Sequence, residues 1–259
     1  MTETLSLAAY PPEVRDAVAR TREVVATLHA ELPRWELIVW TAGNVSQRVQ
    51  VSPDGPSEAD LLVIKPSGVT YDQLTPEAMV VCDLDGNLVE GTRSPSSDTA
   101  AHAYVYKHLP HVGGVVHTHS TYATAWAARG EEVPCVLTMM ADEFGGPIPI
   151  GPFALIGDDS IGRGIVDTLS GSRSRAVLMQ NHGPFTIGRD AKDAVKAAVM
   201  VEEVARTVHI SRQLGDLIPI AQSDIDALYA RYQNVYGQGD SAPVQTDDTA
   251  AALDEETHA

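Results

Sequence analysis

Apolar and polar positions alternate so as to divide the chain into short buried-strand patterns separated by longer helical ones. After Pro11-Pro12, residues Val14, Val18, Val24, Val25 and Leu28 recur along one side of a helix that ends near Pro33. Trp35 to Trp40 reads as a short apolar strand, followed by a turn over Thr41-Ala42-Gly43-Asn44. Leu61 to Ile64 reads as another strand, running into Lys65-Pro66-Ser67-Gly68. Met79 to Cys82 and Leu88-Val89 flank Asp83-Leu84-Asp85-Gly86, the pattern of a hairpin with an Asp-Gly turn. Ser97 is placed to cap a helix through His108, which Pro110 stops. Val112 to His117 forms a further strand pattern, and Ser120 to Arg129 a helix closed by Gly130.

The second half follows the same grammar. Ala176 to Met179 predicts a strand leading into Asn181-His182-Gly183, and Phe185 to Ile187 another. Asp190 opens the longest helix, through about Leu214, with Val195, Val199, Val204 and Val208 available for its buried side. A last helix runs from Ser223 to Tyr232. No internal repeat and no long linker interrupts this order, so residues 1–236 are expected to form one α/β domain, with helices covering a mixed sheet.

Charge qualifies that picture at one end. Residues 237–259 hold six acidic residues, no Lys or Arg and no apolar period, which predicts a disordered acidic tail. Taking those six from the net charge of −17 leaves −11 for the body. A body so acidic lacks the basic face that nucleic acid requires, and any anionic ligand must be held by local donors. No apolar run approaches the roughly 18 residues of a membrane span. Met1 to Tyr10 lacks the basic and apolar regions of a secretory signal. Cys82 and Cys135 have no CxxC or histidine neighbour and read as reduced core thiols, which fits a cytoplasmic location.

The chemistry is concentrated in the histidines. His117 and His119 close one strand pattern at i and i+2, on one face, and His182 sits at a second strand-to-turn junction. Three imidazoles reaching one point form a metal site with an open coordination position, which suits catalysis. Zinc is the expected ion, and Mn, Co or Fe are compatible with the ligand type. Thr41 to Asn44, Lys65 to Gly68 and Pro95-Ser96-Ser97-Asp98 are turns rich in small donors, able to hold phosphate. Gly157-Asp158-Asp159-Ser160-Ile161-Gly162-Arg163-Gly164 is instead a helix start, capped at Asp159 or Ser160, because its paired aspartates would repel phosphate. No Walker loop and no Gly-x-Ser-x-Gly elbow occurs.

Taken together, these strings resemble the class II aldolase family, on its L-ribulose-5-phosphate 4-epimerase branch. They are Thr41 to Ser46, Ile64 to Val69, Leu74 to Glu77, Pro95 to Thr99, Gly113 to Ser120 and Asn181 to Phe185, and the likeness spans about residues 12–236. It implies a mixed β-sheet between helical layers, assembled as a homotetramer with active sites at subunit interfaces. It implies a metal held by His117, His119 and His182, with Asp98 close to the ion or ligating it. Asn44, Lys65, Ser67, Gly68, Ser96 and Ser97 would form the substrate-phosphate site. Asp142 and Tyr236, from a neighbouring subunit, would handle protons on the two sides of the substrate's C4 oxygen.

The implied reaction converts L-ribulose 5-phosphate to D-xylulose 5-phosphate by retro-aldol cleavage and re-addition. The alternative on the same scaffold is an aldolase or decarboxylase of another sugar or tetronate phosphate. Retention of all three histidines sets the chain apart from the non-catalytic adducin heads that share the resemblance. The chain departs from the family where relatives carry an imidazole and an aromatic beside the proposed acid/base and it carries Met140 and Glu143.

Overall fold

The computed structural model describes residues 6–235. The N-terminal half comprises α1 (Pro12–His29), α2 (Glu31–Arg34), β1 (Asn44–Val49), β2 (Leu61–Ile64), β3 (Val80–Asp83), β4 (Leu88–Glu90) and α3 (Thr99–His108). Then come β5 (Gly114–His117), α4 (Thr121–Arg129), α5 (Thr138–Phe144), β6 (Ile150–Gly151) and α6 (Ser160–Leu169). β7 (Ala176–Met179), β8 (Gly183–Gly188), α7 (Ala191–Leu214) and α8 (Gln222–Val235) complete the described residues. Their strands form one mixed sheet in the order β4-β3-β2-β1-β5-β8-β7-β6, antiparallel throughout except for the β6–β7 pair.

Period-two alternation gives that sheet two apolar faces. Leu62, Ile64, Val115, Val177, Met179 and Phe185 pack with Tyr106 of α3 and Ile161 and Ile165 of α6. On the other face, α1 covers Leu61, Val63 and Val81, while Val201 and Val204 of α7 pack with Ala176, Leu178 and the α5 residues Met140 and Phe144. The result is a mixed sheet between helical layers. Asp190 caps α7 by accepting from the Asp193 amide at 2.8 Å, as a start at that position requires.

Several local expectations are corrected. The segment Trp35 to Trp40 is irregular, with Glu36 and Trp40 at φ 57° and 59°, a backbone no strand adopts. The strand begins at Asn44, inside the expected turn. Its alternating Asn44, Ser46 and Arg48 look solvent-facing in sequence, yet all three are buried against α3. Asn44, Ser46 and Arg48 repeat every two strand residues, about 6.7 Å. Asp98, His102 and Tyr106 repeat every four helical residues, about 6 Å. The two polar rows therefore meet rung by rung: Asn44 with Asp98, Ser46 with His102 and Tyr106, and Arg48 with the Tyr106 carbonyl.

The expected first helix breaks at Ala30 into α1 and α2. Asp142 lies in α5, a helix that apolar periodicity did not reveal. Buried Glu143 ties that helix to its neighbours: Lys196 of α7 donates to it at 2.7 Å and to the Tyr232 hydroxyl of α8 at 2.7 Å. Asp98, not Ser97, is the residue before α3, and its carboxylate does not cap the helix. Asp159 is likewise the residue before α6 and pairs with Arg163, while Asp158 Oδ1 accepts from the Ser160 amide at 2.8 Å. The expected acidic tail lies outside the described residues.

One buried imidazole joins the first helix to the sheet. His29 Nδ1 donates to the Val25 carbonyl at 2.7 Å, and Nε2 accepts from the Val45 amide at 3.0 Å. Both partners have fixed roles, so the ring must be neutral, and burial pushes its pKa down to about 4. Neutral His29 therefore contributes stability that is complete above the unfolded value near 6.5 and is lost as pH falls toward 4. The shift corresponds to about 3 kcal/mol over that window. Denaturant titrations of the wild type between pH 6.5 and 4.5 are expected to show this loss. In His29→Gln the slope should be flatter by up to about 1.4 kcal/mol per pH unit. An unchanged slope in the variant would contradict the assignment.

Candidate metal centre

The centre is built at the β5–β8 end of the sheet. Asn44, first residue of β1, pairs with His117, last residue of β5, and His117 pairs in turn with Phe185 of β8. His117 lies buried with its ring stacked on Phe185, centroids 4.1 Å apart. His119 follows just beyond the strand, tied by its amide to the Leu37 carbonyl at 3.2 Å. The turn carrying His182 is made by Asn181, at φ 58°, and by Gly183. A Cβ at Gly183 would stand 2.7 Å from the Thr118 carbonyl, so only glycine lets this turn close on the two other histidines.

The three side chains converge. Nε2 of His117 and Nε2 of His119 are 2.9 Å apart, and one nitrogen from each of His117, His119 and His182 falls within 4.8 Å of the others. His117 Nδ1 donates to the Pro184 carbonyl at 3.0 Å, which leaves its Nε2 lone pair facing the cluster. Burial lowers the pKa of all three, and the neighbouring imidazoles lower His117 and His182 further. Neutral imidazoles with facing lone pairs repel one another unless a cation or proton lies between them. The donor set therefore fits a divalent ion bound by three nitrogens with an open position.

Asp98 stands beside this cluster. Its Oδ2 accepts from Asn44 Nδ2 at 2.7 Å, and its charge favours protonation of His119 and His182, against the effect of burial. Among the described residues the converging ligand group contains the three histidines and not this carboxylate.

The three donor-rich turns also come together here. Pro66 bridges Pro95, the Ser96 amide donates to the Lys65 carbonyl at 3.0 Å, and the Ser67 amide donates to the Ser94 carbonyl at 2.9 Å. Asn44 Nδ2 reaches Ser96 Oγ at 3.0 Å. Ser67, Gly68 and Ser97 remain exposed at the rim. Lys65 is buried and lies within hydrogen-bond reach of the Thr41 and Pro66 carbonyls, at 3.0 and 3.5 Å. Burial lowers its pKa, while the Asp98 charge favours its cationic form. Asn44, Lys65, Ser67, Gly68, Ser96 and Ser97 thus occupy one corner adjoining the histidines.

Asp142 is half-buried on α5, whose Met140 and Phe144 pack on the opposite side of the sheet from the His117 ring. Tyr236 lies outside the described residues. Sequence reasoning missed three contributors. Glu202 of α7 accepts from the amides of Tyr122 and Ala123, both at 2.9 Å, so it caps α4 directly after His119-Ser120. Nothing local in the sequence signals a cap from 80 residues away. Ser46 and His102 link β1 to α3 behind the site, and the spacing of His102 four residues after Asp98 was the available clue.

Residues 23–209 match the family model described as Class II Aldolase and Adducin N-terminal domain. L-ribulose-5-phosphate 4-epimerase UlaF of Salmonella paratyphi B is 42% identical over 209 residues, covering 76% of this chain and 87% of that protein. The Salmonella typhi protein of the same name matches equally. Among solved structures, an L-fuculose 1-phosphate aldolase superposes with TM-score 0.74 at 24% identity, covering 83% of this chain and 96% of its own. YgbL from Klebsiella pneumoniae superposes at 0.69 with 26% identity, covering 82% and 99%. The chain belongs to the class II aldolase family.

Proposed function

We propose that this protein is a zinc-dependent L-ribulose-5-phosphate 4-epimerase, forming D-xylulose 5-phosphate by retro-aldol cleavage and re-addition. The single observation that carries the reading is the convergence of His117, His119 and His182 in a chain 42% identical to proteins named for that reaction. The three imidazoles would hold the ion, zinc by preference, with Mn, Co or Fe admitted by the same ligands. Bound there, the ion supplies Lewis-acid polarisation of the substrate carbonyl. The corner formed by Asn44, Lys65, Ser67, Gly68, Ser96 and Ser97 would receive the phosphate, with Lys65 as its cation and exposed turns as its donors. These local donors overcome a body charge that repels anions.

Cleaving and remaking the C3–C4 bond requires a proton to leave and return to the C4 oxygen on each face. Asp142 and Tyr236 would serve those two roles from a neighbouring subunit of a homotetramer. The placement of α5 across the sheet from the His117 ring supports a role for Asp142 at another subunit's site. A cytoplasmic location fits a sugar-phosphate substrate. The second reading is an aldolase or decarboxylase acting on another sugar or tetronate phosphate. Met140 and Glu143, in place of an imidazole and an aromatic beside Asp142, favour it because they alter the surroundings of the proposed acid/base.

Incubating zinc-loaded protein with L-ribulose 5-phosphate, and following both products separately, tests the reading. D-xylulose 5-phosphate without free glycolaldehyde phosphate is expected. Free aldehyde without epimer would assign an aldolase instead. His117→Asn should lose zinc and turnover together, by more than about 100-fold; full activity in that variant would refute the centre. Mixed tetramers of His117→Asn and Asp142→Asn chains should regain activity that neither variant has alone, because some sites then combine an intact triad with an intact Asp142. Mixtures as inactive as their components would place both groups in one subunit.

A further inference from the structure

Three buried polar groups beside the metal centre, Asn44, Asp98 and His102, each keep one atom without a partner, Oδ1 in the case of Asn44. Asp98 Oδ2 is bonded to Asn44, while Oδ1 is unpaired. His102 is fully buried, with Nδ1 2.7 Å from Ser46 Oγ and Nε2 unpaired. An unpaired buried polar atom is costly, so three in one corner of the fold call for one explanation. Asp98 and His102 lie one turn apart at the start of α3, where the His102 amide donates to the Asp98 carbonyl at 3.0 Å. Helical side chains four apart share a face, and the later one leans back over the earlier. The His102 ring therefore lies toward the Asp98 carboxylate.

Hydrogen-bond chemistry determines which His102 nitrogen carries the proton. The buried, unpaired Oδ1 atoms of Asn44 and of the Asp98 carboxylate can only accept, so the donor they lack is a proton on the unpaired His102 nitrogen, Nε2, with Nδ1 accepting from Ser46. Tyr106 then sends its own proton to Ser46 Oγ, 2.8 Å away. Ser46, having accepted from Tyr106, directs its hydrogen to His102 Nδ1. A neutral imidazole that accepts at Nδ1 carries its proton on Nε2. The unpaired atom of His102 is thus a donor, and the unpaired atom of Asp98 an acceptor.

We propose that His102 is a positioning residue, whose Nε2–H, oriented through Tyr106 and Ser46, holds Asp98 Oδ1 through one water. Asp98 is then fixed at both oxygens, by Asn44 on one side and His102 on the other. Its negative charge stays in one place relative to His119 and His182, the two ligands on which it acts. Groups that orient the surroundings of metal ligands govern metal affinity without touching the ion. The inference rests on the metal-centre reading and assigns His102 no contact with substrate.

The test reads the tautomer by ¹⁵N NMR of histidine-labelled, metal-free protein at pH 7. The wild type is expected to show His102 protonated at Nε2. Tyr106→Phe removes the directing proton and should shift His102 toward the Nδ1–H form. An Nδ1–H tautomer in the wild type, or a tautomer unmoved by Tyr106→Phe, overturns the proposal. Chelator competition supplies a second readout: His102→Leu should bind zinc about 10–100-fold more weakly. His102→Gln, which keeps an N–H donor near the Nε2 position, should recover most of that loss. Folded His102→Leu with wild-type affinity also overturns the proposal. The tautomer measurement decides even where His102→Leu does not fold. It needs no metal, so failure of the wild type to bind zinc would defeat the metal-centre reading separately.

Discussion

Three neutral imidazoles, His117 buried and His119 and His182 half-buried, converge at one corner of the sheet and impose the constraint on which the rest of the structure depends. Nitrogens 2.9 Å apart on His117 and His119 cannot both be protonated, and burial of His117 reduces the water that would screen them. The fold therefore has to supply the energy that brings these groups together. It does so through elements that are otherwise hard to explain: the Pro184 carbonyl that fixes the His117 tautomer, the side-chain-free position at Gly183, and the cap that Glu202 sends from α7 to the start of α4. Each acts on a backbone segment adjacent to a histidine.

The polar rungs between β1 and α3 extend that logic beyond the centre. A buried strand face carrying Asn, Ser and Arg is unfavourable on its own, because each polar group needs a partner. The near match between two strand residues and four helical residues supplies one at each rung. The helix also forgoes something for it. Asp98 sits where its side chain could cap α3, a contribution of about 1 kcal/mol, and instead turns to Asn44. A local preference overridden in this way marks a site where function decides.

The sequence shows some of this plainly and hides the rest. His117, His119 and His182 were legible because strand exits and i, i+2 spacing are local signals. Most strands and the long helix followed from apolar periodicity, and Gly130 at φ 65° ends α4 as read. β1 was missed because its polar face is satisfied by residues 52–60 positions away, while apolar Trp35 and Trp40 look strand-like and are half exposed or more. α5 was missed because its seven residues hold too few turns for periodicity to register. The three donor-rich turns were each weak alone; the Pro66–Pro95 bridge, the backbone bonds beside it and the side-chain bonds of Asn44 and Lys65 make them one corner.

X-ray absorption at the zinc edge of the loaded protein tests the central claim most directly. The account predicts three imidazole nitrogens at about 2.0–2.1 Å with the remaining position filled by oxygen, and one imidazole fewer in His182→Ala. Sulfur in the coordination sphere, or a wild-type spectrum that His182→Ala leaves unchanged, would contradict it.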